Sequence, residues 1–190
     1  MGGVLFDSAW LGPLLWAALH VSDYRLTIAG ARLYKGQDKI VFEGSYEITP
    51  LFQADVNALR RLSPRFVFAC LLSTGYLALL RAMASPWWMN FPELYEGVLG
   101  ALVILELTIH VRHLRNWVLF RYHVMLLQGR LQYPRGVMLR ASALELLLFA
   151  VLYTALWLAT TSLFLLGGAF SCAVLAVNHR LLARRHEAAA

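Results

Sequence analysis

Long apolar runs constrain the fold of this chain more than any other feature of its sequence. Residues 141–177 contain a single carboxylate, Glu145, among apolar side chains, glycines and a few hydroxyl groups. A transmembrane helix needs about 20 apolar residues, so this run is long enough for two helices. Similar runs occupy residues 66–84 and 93–117. The sequence therefore predicts an all-α membrane protein.

The composition agrees with this class of protein. Hydrophobic residues make up 59% of the 190 residues and charged residues 15%, and the mean hydropathy is +0.59. Soluble domains contain about 45–50% apolar and about 25% charged residues. The length suits a single transmembrane domain, residues 1–190. No cleavable signal peptide is expected, because no Lys or Arg precedes Arg25 to form a positively charged n-region.

About five transmembrane helices in a compact bundle are predicted. The long run at 141–177 is expected to break at Thr160–Ser162 rather than at Gly167–Gly168, because the first position leaves two helices of similar length. The five spans are then residues 9–31, 66–84, 93–117, 141–159 and 163–181.

The basic residues predict the orientation of the bundle. If the N-terminus lies outside, all of the 17 Lys and Arg residues except Arg81 fall on the inner side. Cytoplasmic loops of membrane proteins carry an excess of Lys and Arg, so we expect a cytoplasmic C-terminus and a plasma (inner) membrane. The net charge of +6 is spread over the helix ends rather than gathered in one patch. No nucleic-acid partner is therefore expected.

Residues 32–65 form the predicted cytoplasmic element between the first two spans. Gly36–Asp38 would form the turn of a short hairpin. Thr49 and Pro50 suit the start of an amphipathic helix that lies on the membrane surface. Basic residues at this face are expected to contact anionic lipid headgroups of the bilayer. Tryptophans mark membrane interfaces, and the expected interface anchors are Trp87, Trp88 and Trp117.

Ionisable residues inside the spans are the candidate functional residues. Glu106, His110 and His113 follow one another at i, i+4 and i+7, which places them on one helical stripe about 60° wide. Arg112 and Arg115 are predicted to face the other side. Ionisable groups inside membrane helices face the bundle interior and mark functional sites. The expected cluster in the inner half of the membrane consists of His20, Asp23, Glu106, His110, His113 and Glu145, with Asn178 close by.

Several functions are compatible with this cluster, and the sequence identifies no catalytic residue. The primary expectation is a non-enzymatic scaffold or subunit of a membrane complex, either a homo-oligomer or part of a larger assembly. The first alternative is a proton or cation channel or transporter, because Asp, Glu and His chains form proton relays. The second is a metal- or haem-binding membrane enzyme. The spacing E-x3-H-x2-H with Asp23 or His20 suits a zinc or iron ion, and His20 with His110 would ligate haem.

Overall fold

The computed structural model of the protein describes residues 8–84 and 91–188. In these ranges the chain forms six α-helices, two short strands and an irregular helical extension. The helices are α1 (Leu11–Lys35), α2 (Pro50–Asn57), α3 (Pro64–Met83), α4 (Pro92–Val118), α5 (Arg135–Thr160) and α6 (Leu163–Ala188). The strands are β1 (Ile40–Phe42) and β2 (Leu131–Tyr133). A π-helical turn (Leu119–His123) and a 3-10 turn (Val124–Leu126) extend α4.

Four of the described helices are long and apolar enough to cross a membrane. These are α3, α4 with its extension to Leu126, α5 and α6. Many of their large apolar side chains are exposed, including Leu71 and Leu72 on α3 at 68% and 62%. Such faces suit contact with lipid acyl chains rather than water. The structure therefore agrees with an all-α membrane protein. α1 is not among the four, and it carries Asp23, Arg25 and further charges.

Helix α4 is the central helix of the described bundle. It packs against α6 on one side and against α1 on another, while α3 packs on α1 and α5 packs on α6. α1 runs parallel to α4, because its Gly12 faces Tyr95 and Leu99 near the start of α4 and its Thr27 faces His113 near the end. α5 and α6 are joined by Thr161 and Ser162, and Thr161 adopts a left-handed backbone with φ 56°.

The approach of α4 and α6 depends on glycine. A Cβ atom placed on Gly100 of α4 would lie 2.6 Å from the Cα atom of Phe164 in α6 and closer still to its carbonyl oxygen. Small residues allow helix backbones to approach closely in membranes, where dispersion and weak polar contacts hold helices together. Gly75 of α3 provides a contrast, because a Cβ there would meet no atom within 4 Å.

The element between α1 and α3 contains no hairpin, so this part of the prediction is wrong. Gly36 has a φ of −82° and caps α1, which extends to Lys35. Because the helix runs up to the expected turn, no strand directly precedes residues 36–38 that could pair with a following one. Strand β1 instead pairs in parallel with β2, with Ile40 opposite Leu131 and Phe42 opposite Tyr133. β2 lies between α4 and α5. Its sequence neighbourhood, with Gly129, Pro134 and Gly136, is typical of a loop rather than a strand.

A network around Asp55 fixes the short helix α2. Asp55 is buried and accepts hydrogen bonds from Ser63 Oγ at 2.5 Å and Arg60 Nη1 at 3.0 Å. Ser63 also caps α3, because its Oγ accepts from the Phe66 amide at 3.3 Å. The hydroxyl of Tyr24 in α1 donates to the Arg60 carbonyl at 2.9 Å. α2 therefore ends at Asn57 and is tied to both neighbouring helices.

Only one of the three expected interface anchors can be placed. Trp87 and Trp88 lie outside the described residues. Trp117 is 37% exposed at the end of α4, and its ring meets Tyr122 edge to face with centroids 5.5 Å apart.

The contrast between Gly100 and Gly75 yields a stability prediction. Gly100→Ala should destabilise the folded protein by about 1–3 kcal/mol, because α4 and α6 must separate to admit the methyl group. Gly75→Ala should be neutral or stabilising by up to about 1 kcal/mol, because alanine favours helix. Unfolding of both variants in mixed detergent micelles measures the difference. Equal stability of the two variants would contradict the close approach of α4 and α6.

Candidate functional site

A cavity of about 450 Å³ lies beside the second half of α4. α1 borders it on one side and α5 on the other, and the segment around residues 40–56 covers one end. This volume falls in the range of small-molecule binding sites. The wall contains many polar side chains from four helices and the covering segment, among them His20, Asp23, Thr27, Tyr46, Glu47, Glu106, Arg112, His113, Arg115, Asn116, Ser142, Glu145 and His179.

Two histidine–carboxylate pairs join α1 to α4. His20 Nδ1 donates to Glu106 Oε1 at 2.8 Å, and His113 Nε2 donates to Asp23 Oδ1 at 2.7 Å. Residues three or four apart lie on one face of a helix, so His20 and Asp23 of α1 face Glu106 and His113 of α4. The sequence placed these four residues in one cluster, and the structure brings them into contact.

Aromatic rings hold the first of these pairs. The His20 ring stacks between Trp16 and Phe66, with centroid distances of 4.8 and 5.0 Å. This stacking fixes the orientation of the imidazole and hence of the Glu106 carboxylate.

His110 completes the cluster from the same stripe of α4. Its Nδ1 lies 2.7 Å from the backbone carbonyl of Glu106, and its Nε2 meets Ser22 Oγ of α1. A carbonyl oxygen only accepts hydrogen bonds, so Nδ1 carries a proton. In the neutral ring, Nε2 then holds the electron pair that a metal ligand needs, and the Ser22 hydroxyl can donate instead to the Leu19 carbonyl at 2.9 Å. Metal-binding histidines commonly donate their other nitrogen to a backbone carbonyl in this way.

Three potential ligand atoms converge within this cluster. One ligand atom each of Asp23, Glu106 and His110 lies within 4.8 Å of the others. Ligands of one ion with bonds of 2.0–2.2 Å are at most about 4.4 Å apart, so a small inward shift would close the shell. Glu106 is 5% exposed, and its Oε2 is buried with no hydrogen-bond partner in the described part of the chain. A buried polar atom without a partner is costly, which favours a ligand at this position.

The two arginines of α4 line the cavity from the α5 side of this helix, whereas Glu106, His110 and His113 face α1. The side chain of Arg112 is 14% exposed, and its Nε donates to Glu145 Oε2 at 3.1 Å. Arg115 pairs with the other oxygen of Glu145. Glu145 lines the cavity but is held by these two arginines rather than by a histidine. The cavity touches α4 on the sides of both α1 and α5, and its wall is therefore wider than a 60° stripe.

On α6, His179 lines the cavity rather than the expected Asn178. Asn178, expected near the cluster, is exposed. His179 is 7% exposed, lines the cavity and forms a 2.8 Å hydrogen bond between its Nδ1 and Ser142 Oγ of α5. Adjacent residues point about 100° apart on a helix, so the rotation of α6 decides which of the two faces inward.

The covering segment adds two residues that sequence reasoning missed. Tyr46 stacks on Tyr34 with centroids 5.6 Å apart, and its hydroxyl lies directly over Gly30 of α1. Burial raises the pKa of Tyr46 to about 12. Glu47 lines the cavity and accepts a hydrogen bond from the Thr49 amide at 2.7 Å. Burial raises the pKa of Glu47 above its ordinary value. Neither residue belongs to a periodic pattern that could have revealed it.

An apolar cluster closes the side of the bundle beyond the cavity. Trp16, Leu77, Leu99 and Val103 are each at most 5% exposed and pack together between α1, α3 and α4. The polar wall of the cavity therefore ends at the level of His20 and Glu106, and the arrangement is a chamber with one closed end.

Comparisons of this chain with protein-family models, with curated proteins and with solved structures found no match. Its function is therefore argued from the geometry and chemistry of the cavity.

The buried carboxyl of Glu47 makes stability depend on pH. Because its pKa is raised in the folded state, the folded protein retains this proton more strongly than the unfolded chain. Stability should therefore fall as pH rises above about 4.3, the ordinary value of a glutamate. Glu47→Gln removes this titration, so the variant should be more stable than the wild type at pH 8 and nearly equal to it at pH 4.5.

Thermal unfolding in detergent with a chelator present, measured across this pH range, tests the effect of Glu47. Asp38→Asn is the matched control, because Asp38 is exposed in the same connection between α1 and α2. A difference between wild type and Glu47→Gln that does not change with pH would contradict the burial of a titrating carboxyl.

Proposed function

We propose that this membrane protein binds a divalent transition-metal ion and acts on a substrate in the adjoining cavity. The ligands would be Asp23, Glu106 and His110. The observation that carries the proposal is the convergence of these three residues on Glu106, whose Oε2 is buried with no hydrogen-bond partner in the described part of the chain. Mixed carboxylate and imidazole ligands suit ions such as Zn²⁺, Fe²⁺ and Mn²⁺.

The surroundings of these ligands support the proposal. His20 holds one oxygen of Glu106 and His113 holds one oxygen of Asp23. Hydrogen bonds to ligating carboxylates orient them and tune a metal site. Each carboxylate thus keeps its other oxygen for an ion. Bound there, a divalent ion would act as a Lewis acid and lower the pKa of a bound water molecule, which is the chemistry of hydrolysis.

The other functions considered from the sequence find less support. A scaffold requires no ligand-sized cavity with converging ionisable groups. A continuous ion path would have to pass the apolar cluster of Trp16, Leu99 and Val103. Haem ligation by His20 and His110 would require the His20 ring to leave its 2.8 Å hydrogen bond with Glu106 and its stacking contacts with Trp16 and Phe66.

We also propose that α1 crosses the membrane as a fifth span, with the N-terminus outside and the C-terminus in the cytoplasm. Two observations support this topology. α1 is parallel to α4 and lies beside its apolar middle, from Gly12 against Leu99 to Thr27 against His113. Its charge Asp23 faces the interior, while Arg25 is exposed. Assembly as a homo-oligomer or in a larger complex remains a prediction.

Cysteine labelling tests this topology. In a Cys70→Ser, Cys172→Ala background, single cysteines would be introduced at Ser8, Thr49 and Thr160. With a membrane-impermeant maleimide on intact spheroplasts, we expect labelling at positions 8 and 160, and at position 49 only after permeabilisation. If α1 did not cross the membrane, positions 8 and 49 would react from the same side.

Residues 58–65 carry the proposed contact with anionic lipid. Leu62 is 70% exposed there, between the exposed basic residues Arg61 and Arg65. An apolar side chain flanked by arginines suits the boundary between acyl chains and anionic headgroups.

Metal binding is tested on protein purified in detergent and stripped with a chelator. After addition of Zn²⁺, Mn²⁺ or Fe²⁺ and gel filtration, elemental analysis should find about one ion per chain. Glu106→Gln keeps the shape of the side chain but removes its charge, so metal affinity should fall by at least about tenfold.

Glu96→Gln is the matched control for this metal-binding experiment. Glu96 lies on the same helix, but its carboxylate accepts from Ser162 and Phe164 at the opposite end of the bundle. This variant should bind metal like the wild type. Absence of stoichiometric metal, or equal metal binding by Glu106→Gln and the wild type, would overturn the proposal. The scaffold function would then be the favoured one.

A further inference from the structure

Arg112 presents unused hydrogen-bond donors to the cavity. Its Nε donates to Glu145, but its two terminal nitrogens have no hydrogen-bond partner among residues 8–84 and 91–188. The side chain is largely buried and lines the cavity. A guanidinium with two free terminal nitrogens is suited to bind an oxyanion with paired hydrogen bonds.

Arg115, one turn further along α4, differs in this respect. Its Nη1 pairs with Glu145, and its Nε and Nη2 donate to Asn116 Oδ1 at 3.3 and 3.1 Å. The side chain is also 55% exposed. Arg115 therefore completes an ion-pair network, while Arg112 keeps donors available for a ligand.

A bound metal ion would remove the net negative charge of the cavity wall. A divalent ion would neutralise Asp23 and Glu106, while Arg112 and Arg115 balance Glu145 and an ionised Glu47. Glu47 belongs to the covering segment, where it accepts from the Thr49 amide. An anion between the metal and Arg112 would thus meet attraction from two directions.

The shape of the cavity narrows the class of anion. The proposed metal site lies between α1 and α4, and Arg112 faces α5, so the two groups would approach one anion from different directions. This arrangement suits the tetrahedral oxygens of phosphate better than a planar carboxylate. Ile109, Met138 and Leu175 add an apolar wall beside the polar one. A wall of this mixed kind fits a molecule with a phosphate group and an apolar portion.

We infer that the cavity binds a phosphate ester, with its oxygens between the metal site and the guanidinium of Arg112 and its apolar portion against α4, α5 and α6. This inference rests on the proposed metal site. The phosphate group can belong to a lipid headgroup or to a small soluble phosphate, and an experiment distinguishes the two sources.

Binding is measured on the full chain in nanodiscs, with and without added metal. The soluble probes are inorganic phosphate and glycerol 1-phosphate, followed by titration calorimetry. The lipid probe is phosphatidic acid at a few per cent in phosphatidylcholine nanodiscs, followed by ³¹P line broadening and by a rise in unfolding temperature. We expect metal-dependent binding, with phosphatidic acid bound more tightly than either soluble probe.

Arg112→Gln and Arg115→Gln form a matched pair of variants. Each removes one arginine partner of Glu145, but only the first removes terminal nitrogens that have no hydrogen-bond partner in the described part of the chain. Arg112→Gln should weaken phosphate binding by about tenfold or more, and Arg115→Gln by less than about threefold. Arg112→Lys should give an intermediate loss of phosphate affinity. It replaces Arg112→Gln in the experiment if that variant fails to fold.

The outcomes separate this inference from the proposed function. Normal metal binding with equal phosphate affinity in wild type, Arg112→Gln and Arg112→Lys would overturn the inference alone. Tighter binding of soluble phosphate than of phosphatidic acid would overturn the inference that the ligand carries an apolar portion. Failure to bind metal would overturn both proposals, and phosphate binding in the presence of a chelator would show that Arg112 acts without an ion.

Discussion

The structure depends on the neutralisation of carboxylates inside an apolar bundle. An isolated charge is costly away from water, and pairing with a hydrogen-bond donor offsets much of that cost. Glu106 and Asp23 meet histidines at two successive levels of the α1–α4 contact. A slip of α1 by one turn would break both pairs at once. These pairs therefore fix the register of a helix whose own apolar surface specifies its position only weakly.

The cavity follows from the central position of α4. α1 and the α5–α6 pair flank this helix, and the space between them is filled near its start by Trp16 and Leu99. Towards its end the facing side chains are shorter or charged, such as Asp23, Ser142 and Glu145, and the space is left open. The same helix thus supplies a packed apolar half and a polar half, and the boundary lies at Glu106.

The sequence predicted those features of the fold and site that arise from local geometry. Helix positions follow from apolar runs and from local signals such as Thr49 and Pro50 at the start of α2. The stripe of Glu106, His110 and His113 follows from helical spacing. Features that require the rotation of one element against another were not predictable. The inward orientation of Arg112 and the choice of His179 over Asn178 depend on how α4 and α6 are rotated. The pairing of β1 with β2 is a contact between residues far apart in the chain, to which neither segment's own pattern points.

That parallel pairing sets an order of events during synthesis. β1 leaves the ribosome after the first helix, but its partner emerges only after α3 and α4 have been made. Until then the aromatic residues around Phe42 lack Phe120 and Tyr133, against which they pack. The covering segment over the polar cavity can therefore reach its final position only after α4 has been synthesised. Until that late step, the end of the cavity that the covering segment closes stays open.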